Sequence, residues 1–403
     1  NKSGKIIDVG NFSDLRSSWD ISNNLIHFRD RLIMPGFVDT HVHYPQYKVI
    51  ASYGTSLLEW LNKYTFVEEQ RFSDEAYADQ IANLFLDELI KNGTTSVMTF
   101  CTSFKQSVEA FFKAAENRNL RMVAGKVMMD RHAPDELCDN PDNSYSDSKE
   151  LIEKWHNKGR LRYAVTPRFA PTSSSSQLNQ AARLLNEYPS DDQTKGVLLQ
   201  THLNENDEEI AWVNDLFPDS NSYFGVYEDH GITGNRSVFG HCIHNTEEEY
   251  QRMAKTGSKV SLCPTSNLFL GSGLFELEKL ESYGIDVSLA SDVGGGDSFS
   301  MFKVMNEAYK ICRLNDFNLD PIKAFYLTTL GAAKVLDMND SIGNFEVNKE
   351  ADFIVIDLNA TEIISQKNKI AMGVNDILFN LMTLGDDRLI DEVFILGQRA
   401  YKK

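Results

Sequence analysis

The sequence predicts an α/β fold, a (β/α)8 TIM-type barrel accompanied by a small, discontinuous β-sandwich-like domain built from the N- and C-terminal segments. Three observations carry this. Eight short apolar runs alternate with segments of helical periodicity; histidines and an aspartate sit at the ends of several runs; and strand-like stretches lie near both ends of the chain. A doubly wound open sheet would give a similar alternation, and the placement of the polar groups at the run ends favours the barrel.

The runs are Gly36 to His43, Thr95 to Phe100, Met122 to Met129, Tyr163 to Phe169, Val197 to Leu203, Val238 to His244, Val260 to Pro264 and Val287 to Asp292. Helices are expected at Asp74 to Lys91, Gln106 to Asn117, Asp147 to Asn157, Ser176 to Tyr188, Thr246 to Lys255 and Gly273 to Tyr283. A Gly-rich loop, Gly294-Gly295-Gly296, precedes two more helix candidates, Ser300 to Leu314 and Pro321 to Leu336. Lys5 to Gly10, Ile342 to Phe345 and Ala351 to Asp357 read as strands of the satellite domain. The expected division is therefore 1–34 and 342–403 for the small β domain and 35–341 for the barrel.

Composition narrows the function. Among 403 residues, 40 Lys plus Arg against 58 Asp plus Glu give a net charge of −18, which disfavours nucleic acid and anionic membranes as partners. The five cysteines, Cys101, Cys138, Cys242, Cys263 and Cys312, contain no C-x-x-C and read as reduced core residues of a cytoplasmic protein. No apolar run approaches the roughly 20 residues of a membrane span. The chain opens without Met on a strand-like stretch, so the numbering is expected to begin inside a longer protein.

Asp39-Thr40-His41-Val42-His43 ends the first run, and strand alternation places His41 and His43 on one side as a chelating pair. His202 ends the fifth run, His241 falls in the sixth and Asp292 ends the eighth, where a barrel carries its catalytic groups. Neutral imidazoles with one carboxylate suit Zn2+, with Fe2+ as the other candidate.

The stretch Pro35-Gly36-Phe37-Val38-Asp39-Thr40-His41-Val42-His43 resembles the opening signature of the amidohydrolase superfamily, and the resemblance extends over nearly the whole chain. It implies His41, His43, His202 and Asp292 as metal ligands, with His241 contacting the attacking water and, in guanine deaminases, counted as a ligand too. Binuclear members use a lysine on the fourth strand; Tyr163 to Phe169 has none, which implies one metal ion per chain. Lys126 lies on the third run and is given no catalytic role; a structural ion pair with a neighbouring carboxylate would account for it equally.

His202-Leu203-Asn204-Glu205 is similar to the H-x-x-E element of mononuclear deaminases, which implies Glu205 as the proton shuttle. Asp207, Glu208 and Glu209 read instead as a solvated acidic helix start. His43-Tyr44-Pro45-Gln46, Leu57 to Phe66 and Thr166-Pro167-Arg168-Phe169 resemble signatures of the guanine-deaminase family. That resemblance implies guanine as the small-molecule substrate, hydrolysed to xanthine and ammonia by metal-activated hydroxide attacking C2. Glu205, His241 and Asp292 would be catalytic. Gln46 and Arg168 would donate to the polar purine edge, Phe169 would pack on the ring, and His43, His202, Glu205 and Asp292 would also contact substrate. A homodimer is implied as well.

Trp60, Tyr64 and Phe66 form an apolar helix stripe able to roof the pocket. The stretch Asp386-Asp387-Arg388 resembles the family without suggesting a role. Two rivals stay open: a related mononuclear enzyme acting on cytosine, adenosine-like nucleosides or triazines, and a noncatalytic purine-binding barrel. The unrelated zinc deaminases that use P-C-x-x-C are excluded by the cysteine spacing.

Overall fold

The computed structural model describes residues 1–18, 25–54, 56–191 and 193–403. Strand β1 (Arg31–Pro35) belongs to the terminal sheet, and one residue later the chain enters the barrel as β2 (Phe37–His43). The residue between them, Gly36, lies so close to Thr95 that a Cβ would sit 2.2 Å from its Oγ1.

The barrel continues through β3 (Thr94–Phe100), β4 (Arg121–Gly125), β5 (Val127–Met128), β6 (Leu161–Pro167), β7 (Leu198–Leu203), β8 (Ser237–His241), β9 (Lys259–Leu262) and β10 (Val287–Leu289). Neighbouring strands are parallel in the order β2-β3-β4-β6-β7-β8-β9-β10, with β5 prolonging β4 alongside β6. The Lys126 N–H leaves the ladder to donate to the Tyr163 hydroxyl at 3.1 Å, so the third run is two strands and not one. The ring is closed beyond β10, where the Asp292 N–H donates to His41 O at 2.9 Å and the His43 N–H to Val293 O at 2.6 Å.

Nearly every residue of these strands is buried, as expected for a parallel sheet covered by helices. Val38, Met98, Val123, Ala164, Leu198 and Val238, one from each of six strands, form a single apolar cluster with Ala332, Ala333, Val335 and Leu336. The latter group lies at the N-terminal end, because Lys259 Nζ at the start of β9 donates to the carbonyls of Lys334 and Val335. Burying each larger aliphatic side chain contributes about 1.5–3 kcal/mol, so this end is a stability plug that leaves the other end free for chemistry.

The expected helices are present at Glu75–Lys91, Lys105–Asn117, Ser175–Glu187, Glu247–Thr256 and Met301–Leu314. Three others differ. The Asp147 to Asn157 helix starts earlier, spanning Pro141–Trp155, because Asn140 caps it and Pro141 occupies its first turn. Gly273 to Tyr283 shortens to Leu277–Ser282. Pro321 to Leu336 breaks into Pro321–Leu327 and Leu330–Val335, since Thr328 O is taken by the Val38 N–H of the barrel at 2.9 Å.

The satellite sheet is antiparallel, ordered β1-β11-β12-β13, with β11 at Phe353–Asp357, β12 at Ile390–Ile395 and β13 at Gln398–Lys402. It unites both ends of the chain, as the sequence predicts. Two of the expected strands are not formed there: only Lys5 of Lys5 to Gly10 makes a bridge, to Glu350, and Ile342 to Phe345 is irregular. Gly343, at φ +96°, packs on Leu330 and turns the chain out of an extended path. The span 1–34 includes residues 19–24, which lie outside the described residues. Arg160 and Arg121 pair with Glu350, and Arg160 also with Asp352, joining the barrel to the return segment. Among the described residues no helix is long and apolar enough to cross a membrane, and all five cysteines are free, four of them buried.

Candidate active site

The sequence-predicted groups converge at the C-terminal mouth of the barrel. The β2–β3 register slips between Asp39 and Val42, a local irregularity that re-aims the end of β2. His41 and His43 then stand with ring centroids 5.3 Å apart. His202 lies one residue from the end of β7, and His241 is the last residue of β8. The sixth run ends there and not at His244, because His241 and Cys242 take φ of +69° and +51°. Asp292, at φ +49°, lies three residues beyond β10.

Four imidazoles and one carboxylate share this space. His43 Nε2 is 3.4 Å from Asp292 Oδ1 and 3.3 Å from His202 Nε2. His41 Nε2 is 3.5 Å from the same Asp292 oxygen, and His241 Nε2 is 3.8 Å from Asp292 Oδ2. The outer nitrogens are held: His202 Nδ1 lies 2.7 Å from Arg168 O and His241 Nδ1 3.0 Å from Asn267 Oδ1. Both outer contacts are to acceptors, so each Nδ1 carries the proton and each Nε2 presents a lone pair inward. A Cβ on Gly240 would fall 2.5 Å from His41 Cε1, so only glycine there leaves room for that ring.

Burial pushes the His41 and His202 pKa values well below the ordinary imidazole range and lowers that of His43, which keeps these rings neutral and ligand-competent. Burial alone would raise the Asp292 pKa, but the His43 hydrogen bond and the neighbouring imidazoles lower it below the usual carboxylate value. The Nε2 atoms of His41 and His241 are buried without a hydrogen-bond partner. Buried polar atoms in that condition, converging on an ionised carboxylate, fit a divalent cation. Cys263, read from the sequence as core, also comes within 4.8 Å of ligand atoms of His41, His241 and Asp292. Burial, reinforced by Asp292, holds its thiol well above the ordinary range and therefore protonated.

Above this cluster lies a cavity of about 380 Å³ whose walls include His43, Gln46, Trp60, Arg168, Phe169 and Glu205. His202, His241 and Asp292 form its floor, and His41 lies beneath it. Leu57, Trp60 and Leu61 come from the helical segment after residue 56, which does contribute to the roof. Phe66, at the end of the same stripe, is buried under the Arg168 guanidinium.

Glu205 is buried, with Oε2 3.4 Å from His241 Nε2 and Oε1 accepting from Ser272 Oγ at 3.5 Å. Burial, then the nearby Asp292 charge, raises its pKa well above that of an exposed glutamate, so the acid form persists to higher pH.

Four residues escape the sequence reading. Glu209 is not part of a solvated helix start: it is fully buried, accepting from the Glu205 N–H at 3.1 Å and the Tyr223 hydroxyl at 2.7 Å. Its three-residue offset from Asn206, the helix cap, was the only available signal. Glu69 is equally buried, bound by Arg168 Nη1 at 2.9 and 2.8 Å and by Gln46 Nε2 at 3.1 Å. Asn267 comes from the short helix Pro264–Phe269 after β9, and Ser272 from the loop that follows it. Lys126, given no catalytic role by the sequence, pairs with Asp139. Arg388 pairs with Asp386 at the surface.

A barrel whose catalytic face gathers four inward-facing imidazoles, an ionised aspartate and a buried glutamate that holds its proton to higher pH is the architecture of a metal-dependent hydrolase. The chain belongs to the amidohydrolase family, which it matches over residues 32–400. It is 47% identical over 402 residues to the guanine deaminase of Escherichia coli (strain K12), covering 100% of this chain and 90% of that protein. The solved structure of E. coli guanine deaminase covers 100% of this chain and 92% of its own, with a TM-score of 0.96. A guanine deaminase from C. acetobutylicum, solved with bound guanine in its active site, is 33% identical with a TM-score of 0.89, covering 99% of this chain and 93% of that one.

Proposed function

We propose that this chain is a guanine deaminase, converting guanine and water to xanthine and ammonia. The observation that carries the proposal is one cavity that joins a His and Asp cluster able to hold a metal ion, the buried Glu205 and the Gln46–Arg168 polar wall. Full-length similarity to guanine deaminases supports the substrate.

In this reading His41, His43, His202, His241 and Asp292 hold one divalent metal ion, zinc by its donor set, with ferrous iron as the alternative. When bound, such an ion lowers the pKa of a coordinated water towards neutrality. Arg168 and Gln46 hold the polar edge of the purine while Phe169 and Trp60 flank the ring and exclude water. Glu205 gives its proton to ring N3 as water oxygen bonds to C2. Asp292 and His241 face the incoming oxygen, Asp292 accepting its proton. Glu205, now a carboxylate, takes the second proton of the attacking water from the C2 hydroxyl and passes it to the exocyclic nitrogen, so that the C2–N bond breaks, ammonia leaves and C2=O forms; the proton held by Asp292 then returns to Glu205. The same reading places the enzyme in the cytoplasm as a homodimer, the free cysteines supporting the compartment.

Ammonia release over guanine, guanosine, adenine, cytosine and a triazine, with metal content measured on the same preparation, tests the proposal. Guanine should be preferred and metal should approach one ion per chain. Preference for another base, or two metal ions per active chain, would reject it.

Arg168→Lys isolates the substrate contact, because lysine keeps a cation for Glu69 and loses the planar fork. We expect kcat/KM for guanine to fall about tenfold, the equivalent of one charged hydrogen bond of about 1.4 kcal/mol, with metal content unchanged. Unaltered kcat/KM would remove Arg168 from the substrate wall.

A further inference from the structure

The buried carboxylate of Glu69 takes part in no metal contact and no step above, yet it touches both residues of the polar wall. It is completely buried, and its Oε1 accepts from Gln46 Nε2 while both of its oxygens accept from Arg168 Nη1. Paired with a guanidinium, this carboxylate offers only acceptors, so it dictates which end of the Gln46 amide faces it. The nitrogen faces Glu69, and the carbonyl oxygen occupies the other edge of the amide. Arg168 commits Nη1 and keeps Nη2 and Nε as donors.

We infer that Glu69 is a specificity-positioning residue: it fixes Gln46 as an acceptor beside Arg168 as a donor, a pair that matches a purine lactam edge, N1–H next to C6=O. A 6-amino or unsubstituted purine presents a bare N1 acceptor to the Gln46 oxygen and no carbonyl to Arg168, leaving buried polar groups unpaired. Rejection of that kind is strong, because each unmet group keeps its desolvation cost. The sequence-based expectation that Gln46 donates to the substrate is thereby revised to acceptance. The inference rests on the purine pocket proposed above and adds the element that selects among purines.

Two variants and two probes test it by calorimetry on the metal-loaded protein. Hypoxanthine carries the lactam edge without the reactive amine; unsubstituted purine carries neither. Wild-type protein should bind hypoxanthine at least tenfold more tightly than purine. In Glu69→Gln, the new amide can donate to the Gln46 oxygen and invert the Gln46 amide, so the preference should shrink about tenfold. Gln46→Leu leaves the Glu69–Arg168 pair in place and should shrink the preference to a similar extent, which keeps the test decisive if Glu69→Gln does not fold. A merely structural Glu69 would weaken both probes equally, and an unchanged hypoxanthine-to-purine ratio in either folded variant overturns the inference. Wild-type protein that deaminates guanine but shows no lactam preference also overturns it while leaving the proposed function standing. Failure to bind either base would reject the pocket itself.

Discussion

Glu205→Gln should lower turnover of guanine by about 100-fold or more, the usual scale for removing a positioned acid-base group, while metal content and guanine binding persist. The amide keeps the shape that fits between Ser272 and His241. It cannot deliver a proton and take it back. Glutamate suits the task here because burial and the Asp292 charge hold its proton at a pH where an exposed glutamate has lost it. The substitution also replaces a buried ionisable group by a neutral one, so thermal stability should not fall. Single-turnover rates, metal analysis and melting temperature on one preparation separate these effects. Turnover within a few fold of wild type would reject the proton-shuttle role.

His41→Ala should abolish metal retention and deamination together. His41 lies beneath the cavity at 1% exposure, with ring centroids of His43, His202 and His241 at 5.3, 4.8 and 5.3 Å. In the proposed site, loss of its Nε2 breaks the pair with His43 and leaves the ligand set incomplete. Because a bound metal stabilises the folded state through mass action, a chelator should lower the melting temperature of the wild type and leave that of His41→Ala unchanged. The chelator response separates lost metal from a simple cavity beside Phe100, which would lower stability in both conditions. A variant that keeps its metal and full turnover would remove His41 from the site.

The positions of the clustered histidines were legible because a parallel barrel makes them so. Once a run is recognised as a barrel strand, its C-terminal end must lie at one mouth, and His41, His43, His202 and His241 all fall within the last three residues of β2, β7 and β8. Helix existence was legible for the same local reason, since periodicity and caps are short-range features. Breaks and ends were less so. The Pro321 helix is interrupted by a hydrogen bond from Val38, nearly three hundred residues away in sequence, and no propensity within the helix announces it.

Glu69, Glu209 and Asn267 were not legible, and the reason is physical. An isolated glutamate carries the same letter whether it is solvated or sealed under an arginine, and the side-chain partners that decide the matter lie 99 positions from Glu69, 14 from Glu209 and 26 from Asn267. Sequence by itself therefore determined the barrel and the strand ends that carry His41, His43, His202 and His241, because alternation and strand ends translate directly into place, while Glu205 was picked out by its resemblance to a family element. Tertiary structure alone decided which imidazole nitrogen faces inward, which acids are buried and which way Gln46 presents its amide. Those properties depend on burial and on hydrogen bonds between distant segments, which exist only after the strands have closed into a ring.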